Sequence, residues 1–544
     1  MLTSFHRLLK SAALVATVLP VFVLAQGNAA NAPGQQKADV VATAHQDVLP
    51  SLRDLVAKPV DLTWQKPANP KKRVPYVDSP NFVDDFAAQD VHRTTTATAA
   101  STTTGLGFDG VGKGFTGPSG TFTVQAAPPD TTGAVGATQY VQWVNSSFAV
   151  FNKSTGAAVY GPVPGNTLFT DFGGPCETTN DGDPIVMYDK AANRWVLMQF
   201  AVSTQPYMQC IAVSQTSDAT GAWNRYAFQY GNGFNDYPKA GVWPDGYYVT
   251  YNIFTNGATF AGGKVCAMDR AKMLAGQPAT QQCFNTSTAY GGLLPADLDG
   301  SNAPAAGTPN YVMNLGSSKL NLWKFKVDWT TPTNSTFAGP VAIPVTAFAA
   351  ACGGGTCIPQ AGTARTLDSL ADRAMFRLAY RKFADGHEAL VVNHAVKVGT
   401  NKRTSYTATR WYELRIPTTG GTPTVNQQSS YGPDSTSRWM GSMAMDKQGN
   451  IALAYSASSS GIKPALRFAT RLAGDTLNTL SNETTIVQGT GSQTGTLSRW
   501  GDYSTMTIDP VDDCTFWFTS EYLKADGTFN WSTRIHSFKI NGCS

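Results

Sequence analysis

The 544-residue chain is poor in charge: only 14% of its residues are Asp, Glu, Lys or Arg, and 41 basic residues face 37 acidic ones, for a formal net charge of +4. A protein that grips nucleic acid through its phosphates needs a broad basic face, so that class is set aside. Long apolar runs are also missing. The one candidate, Ala12 to Ala25 behind His6, Arg7 and Lys10, is too short and wrongly flanked for a membrane span but fits a secretory leader. Cleavage after Val23-Leu24-Ala25 satisfies the small-residue rule, with the Asn28-Ala29-Ala30 region as an alternative. We therefore expect a signal peptide over residues 1–25 and a secreted, periplasmic or extracellular product whose formal charge falls to +2 once Arg7 and Lys10 are removed. Cysteine is absent up to Pro175, and no CxxC, CxxCH or HExxH pattern occurs anywhere. The eight cysteines beyond it are an even number in an exported chain, which points to disulfides rather than metal thiolates.

What is abundant is Gly, Thr, Ser, Asn, Trp and Tyr, a composition that favours strands and turns over helices. Residues 26–104 are polar and punctuated by Pro and Thr, as in "PANPKKRVP" and "RTTTATAASTTTG", and read as an extended arm or a removable pro-segment. From about Gly105 a loose unit recurs: an alternating strand, a tight turn of Asp, Asn, Gly or Pro, then a strand rich in Val, Tyr and Trp. It is seen in "DPIVMYDKAANRWVLMQFAV", "RWMGSMAMDKQGNIALAYSAS" and "GDYSTMTIDPVDDCTFWFTSEY", among seven copies. Their spacing of roughly 50 to 75 residues leaves room for four strands each, the sheet of a propeller blade. The expectation is an all-β, seven-bladed β-propeller over 105–544, closed by an N-terminal strand. "GTFTVQA" is the expected partner of the final strand "WSTRIHSFKI". In that arrangement Cys514 opens one strand and Cys543 follows its antiparallel neighbour, so the two pair. By the same logic Cys176 lies near Cys210, and Cys266–Cys283 and Cys352–Cys357 are the remaining local pairs.

The set "PPDTTGAVG", "DPIVMYD", "DYPKAGVWPDGYYVTYN", "PADLDGS", "RLAYR", "VVNHAV" and "RWGDYSTMTIDPVDDCTFWFTSEY" resembles a group of exported bacterial β-propeller proteins over about residues 105–544. The resemblance implies a propeller and export and brings no catalytic residues with it. Sialidases share the architecture, but their Ser-x-Asp-x-Gly-x-Thr-Trp box has only a distant echo in "SMAMDKQGNIAL", so likeness to them is one of architecture.

In a propeller, residues just before each first strand and at the end of each second strand converge on one mouth of the channel. This collects Asp130, Asp183, Asp236, Arg373, Arg438, Arg499 and Asp502 from strand starts, and His394, Glu521 and Tyr522 from strand ends. Arginines make bidentate bonds to a uronate, sulfate or sialate group. Trp500 and Tyr503 would stack on sugar faces, and Glu521 and Asp502, helped by Tyr522, would carry the proton transfers. The competing reading is structural: acidic residues at strand starts tie loops to backbone N–H groups, and Arg-Trp pairs act as packed supports. Asp297 and Asp299 in "PADLDGSN" resemble the start of a calcium loop but lack its distal Glu, leaving a solvated turn as the alternative. His387 and His394 fall on opposite faces of one strand and cannot share a metal. The expected function is a secreted, monomeric glycoside hydrolase or polysaccharide lyase acting on an acidic glycan, with calcium as the sole candidate cofactor. The alternative is a non-catalytic lectin-like or protein-binding propeller at the cell surface.

Overall fold

The computed structural model describes residues 36–55, 72–75, 101–399, 405–417 and 420–544; the leader expected over 1–25 lies outside them. The described chain is all-β. From Thr132 onward it runs as consecutive antiparallel meanders over 132–164, 185–231, 233–285, 294–344, 375–431, 437–487 and 505–540, in which strands adjacent in sequence are adjacent in the sheet. The first strands of successive meanders touch in order, and Thr505–Ile508 of the last touches Thr132–Val135 of the first. This arrangement of sheets is consistent with a β-propeller. The meanders over 294–344 and 375–431 are further joined by parallel pairing of Leu294–Asp299 with Met375–Lys382.

A half-buried strand alternates apolar and polar side chains, but several strands here are buried on both faces. Ile185–Asp189 and Ser437–Met445 are covered along their whole length, because each sheet packs face to face against its neighbours. The space between sheets is filled with large rings, and Trp143, Trp195, Trp223, Trp243, Trp411, Trp439, Trp500 and Trp531 are all fully buried. Three meanders are introduced by an aspartate in the left-handed region, with φ of 47° at Asp130, 47° at Asp183 and 59° at Asp502. Asp tolerates this conformation better than most residues because its short polar side chain can bond nearby backbone.

The final strand, Trp531–Ile540, pairs with Thr102–Asp109, with Thr102 opposite Ile540 and Asp109 opposite Arg534. "GTFTVQA", expected in that place, is elsewhere: Gly120–Thr121 forms a short hairpin with Thr116–Gly117. The strand that pairs is polar on one side and anchored by Leu106 and Phe108, which pack on the cluster containing Trp531 and Ile535. Further parts of the segment read as an arm also join sheets. Asp39–Ala42 lies beside Thr280–Asn285 and His45–Leu49 beside Trp223–Gly231, each as an outermost strand. Leu49 and Leu52 are buried, and Arg225 grips Asp47 through two bonds of 2.7 and 2.6 Å. These strands are four and five residues long, too short for a periodic apolar signal to stand out.

The four expected disulfides are present: Cys176–Cys210, Cys266–Cys283, Cys352–Cys357 and Cys514–Cys543. Cys266 and Cys283 sit directly opposite each other on paired strands.

Candidate functional site

At the end where several first strands begin lies a cavity of about 280 Å³. Asp183, Asp236, Arg373, Arg499 and Asp502 all line it, joined by Lys72 from the N-terminal segment. The aspartates and arginines meet here from distant parts of the sequence because each precedes or opens the first strand of its own meander.

Its two arginines are already paired with carboxylates. Arg373 is buried and donates from Nε to Asp372 Oδ1 at 2.9 Å and from Nη2 to the Lys72 carbonyl at 3.2 Å, with its guanidinium 4.4 Å from the Tyr237 ring centre. Arg499 bridges Asp502, at 2.5 Å, and Asp368, at 3.3 Å. Asp183 accepts the Tyr237 N–H at 3.2 Å. Burial pushes the Asp236 carboxyl up to about 7, reinforced by Asp183 and opposed by Arg373 and Lys72. Asp130 lies deeper, accepts a 2.7 Å bond from Asn145 Nδ2, and is held well above the ordinary carboxylate range by burial and by Asp502 and Asp183.

Next to the cavity two buried tyrosines cross between meanders. The Tyr237 hydroxyl donates to the Asp502 carbonyl at 3.1 Å and the Tyr503 hydroxyl to the Pro184 carbonyl at 3.0 Å, so two tyrosines tie three meanders together. Between their rings sits the ammonium of Lys239, 3.6 and 3.7 Å from the two ring centres. Burial pulls Lys239 down to about 7 against the attraction of Asp183, Asp130 and Asp502. At the opposite end Arg377 crosses to Asp297 at 2.6 Å, to Asp299 at 2.8 Å and to the Met506 carbonyl at 2.9 Å, while Lys190 reaches Asp299 at 3.5 Å. Asp297 and Asp299, read as a calcium loop, thus surround a guanidinium and an ammonium, and Asp297 also accepts the Val242 N–H. Among the described residues no group of three or more His, Cys, Asp or Glu is arranged to hold a metal ion.

The remaining candidates lie outside the cavity. Glu521 is buried beneath Asp502, with Oε2 accepting the Gly501 N–H at 2.9 Å; burial holds its carboxyl well above its ordinary range. Tyr522 points to the other face of the same strand and donates to Asp109 at 2.8 Å, so it cannot assist Glu521. Arg438 is fully buried in its own sheet between Glu483 and Asp434. His394 lies against Tyr412 at 3.0 Å and Phe348, and burial keeps its ring well below the ordinary imidazole value. Trp500 is packed 5.8 Å from Trp439 and donates to Ser456 Oγ at 3.1 Å, so neither indole offers a sugar-stacking face. Tyr503 is buried against Lys239 and Tyr237 rather than exposed to the cavity.

Sequence reasoning missed Lys72, Tyr237 and Lys239. Two of them carried a signal: "DYPK" at 236–239 and "DYS" at 502–504 repeat an Asp-Tyr pair at two strand starts, and a lone Lys just before the apolar run "AGVW" marks a buried charge with partners. Lys72 carried none, because its neighbours are at least 160 positions away in sequence.

No protein-family model matches the sequence, and no curated protein matches it. Among solved structures, the chain is similar to an exo-β-1,3-galactanase from Clostridium thermocellum at 11% identity and a TM-score of 0.30, over 76% of this chain and 91% of that one. It is similar to an ulvan lyase at 12% identity and a TM-score of 0.34, over 79% and 97% of the two chains. A third likeness, to the polysaccharide lyase Uly1, is at 11% identity and a TM-score of 0.34, over 80% and 98%.

Proposed function

We propose that this chain is an exported, monomeric, seven-bladed β-propeller whose cavity binds an acidic glycan and cleaves it by acid–base chemistry. The seven meanders form the blades, and the pairing of Thr102–Asp109 with the final strand closes the ring. Export is supported by the leader-like N-terminus and by four disulfides.

The observation that carries the reading is the contrast between two carboxyl groups in one cavity. Asp236 is raised to about 7, so near neutral pH about half of it holds a proton to donate to a leaving oxygen. Asp502, in the same cavity, is paired with Arg499 at 2.5 Å and takes the role of base, accepting a proton from water or from the sugar ring. A protonated carboxyl and a second carboxyl group facing one cavity can divide the roles of acid and base between them. Glu521 then serves as the support of the Gly501-Asp502 turn. An acidic sugar would share Arg373 with Asp372 and Arg499 with Asp368, and no metal is required.

A second reading, glycan binding without turnover, is favoured by the packing of Tyr237, Lys239 and Tyr503, which would keep a polymer from threading the channel, and by the prior pairing of both arginines. The test is a panel of acidic and neutral polysaccharides assayed for new reducing ends and for unsaturated uronate absorbance. Products that disappear in Asp236→Asn support cleavage; saturable binding with no products from any polymer supports the second reading.

A further inference from the structure

One occupant of the cavity rim is visible: the segment Lys72 to Pro75. It adds no strand to any sheet, yet it is seated. Val74 is buried against Gly291 and Gly292, where a Cβ on Gly291 would come within 3.0 Å of the valine side chain. Arg373 holds the Lys72 carbonyl. The Lys72 ammonium lies 4.5 Å from the ring centre of Phe234 and 5.0 Å from that of Phe254, and it donates to the Gly257 carbonyl. Asp236 is near enough to feel its charge. Two aromatic faces, a carbonyl oxygen and a neighbouring carboxyl are the elements by which proteins recognise a cation on an apolar stem.

We propose that the cavity rim is a binding site for a lysyl side chain, formed by Phe234, Phe254 and the Gly257 carbonyl, and that Lys72 fills it in cis as a built-in competitor. An external ligand binds only the fraction of molecules whose Lys72 is displaced, and its apparent affinity falls by that fraction. With the open form at about 10% or less, as is usual for a minor state, the penalty is about tenfold or more. The inference stands on the contacts of Lys72 and goes beyond glycan cleavage.

The test titrates the full-length exported protein with Nα-acetyl-lysine methylamide, followed by NMR or calorimetry, with the norleucine analogue as a control of equal length and no charge. Lys72→Ala should bind the lysine probe at least about tenfold more tightly than the unaltered protein and should show no such gain for the norleucine probe. Adding Phe234→Ala should remove the gain, and Lys72→Ser, which also empties the site, repeats the measurement should Lys72→Ala fold poorly. Equal affinity of the unaltered and Lys72-substituted proteins for the lysine probe, equal gain for norleucine, or a gain that survives Phe234→Ala would each overturn the proposal. Because no product is measured, failure here is distinguishable from failure of the glycan reading.

Discussion

Replacing Asp236 by Asn should stabilise the protein in a way that depends on pH. The Asp236 carboxyl is raised from 3.8 to about 7 in the folded chain. A raised carboxyl binds its proton more tightly when folded, so its contribution is favourable at pH 4 and is lost as pH climbs towards 7. At ~1.4 kcal/mol per pH unit the full shift is worth about 4 kcal/mol, which solvent reaching this half-buried, cavity-facing group reduces to roughly 2 kcal/mol. Asn cannot ionise and carries no such loss. Urea unfolding of the oxidised protein and of Asp236→Asn at pH 4, 5, 6, 7 and 8 should therefore show a free-energy gap that is smallest at pH 4 and widens by roughly 2 kcal/mol by pH 8. Other titrating groups, including His536, lowered to about 4, and Lys239, lowered to about 7, are common to both proteins and largely cancel. A gap that stays constant across the series would refute the burial of Asp236 as an acid.

Arg377→Met should cost about 3–5 kcal/mol, because Asp297 and Asp299 lose the guanidinium between them; a loss below about 1 kcal/mol in denaturant unfolding would contradict that network. Replacing residues 102–109 by a Gly-Ser stretch of equal length should lower the melting temperature far more than the same replacement over 116–121, since only the first exposes the edge of the final strand. Removing the link between Cys514 and Cys543 by a double Ser substitution should cost on the order of 3 kcal/mol, and peptide mapping without reduction should find these two cysteines joined in the unaltered protein.

The all-β class and the meanders were legible because each unit carries its own turn chemistry and a strong strand composition, and the cysteine pairs followed from strand ends lying side by side. The strand that pairs with the final one was not. "TTTGLGFD" and "GTFTVQA" alternate about equally well, and both place side chains on the Trp531 cluster, Leu106 and Phe108 from the first and Phe122 and Val124 from the second, across more than 400 positions, so the apolar pattern does not tell them apart. Placing residues at a mouth by strand direction brought Asp183, Asp236, Arg373, Arg499 and Asp502 together. It failed for Arg438 and Tyr522 because direction along a strand says where a residue sits, while the side chain's face decides what it meets. Arg438 turns into its own sheet to Glu483, and Tyr522 turns outward to Asp109. Trp500 was misjudged for a related reason: an indole beside an arginine looks like a ligand platform in one dimension, but stacked sheets bury both faces of a strand.

The most direct test of the central claim is the pH dependence of product release from a glycan that the protein cleaves, measured for the unaltered chain and for Asp236→Asn. The account predicts that the rate of the unaltered protein falls as pH rises through about 7, where Asp236 loses its proton, and that the Asn variant still binds the glycan but releases product at least about a hundredfold more slowly. Cleavage by Asp236→Asn at the unaltered rate, or a rate that keeps rising above pH 8, would contradict it.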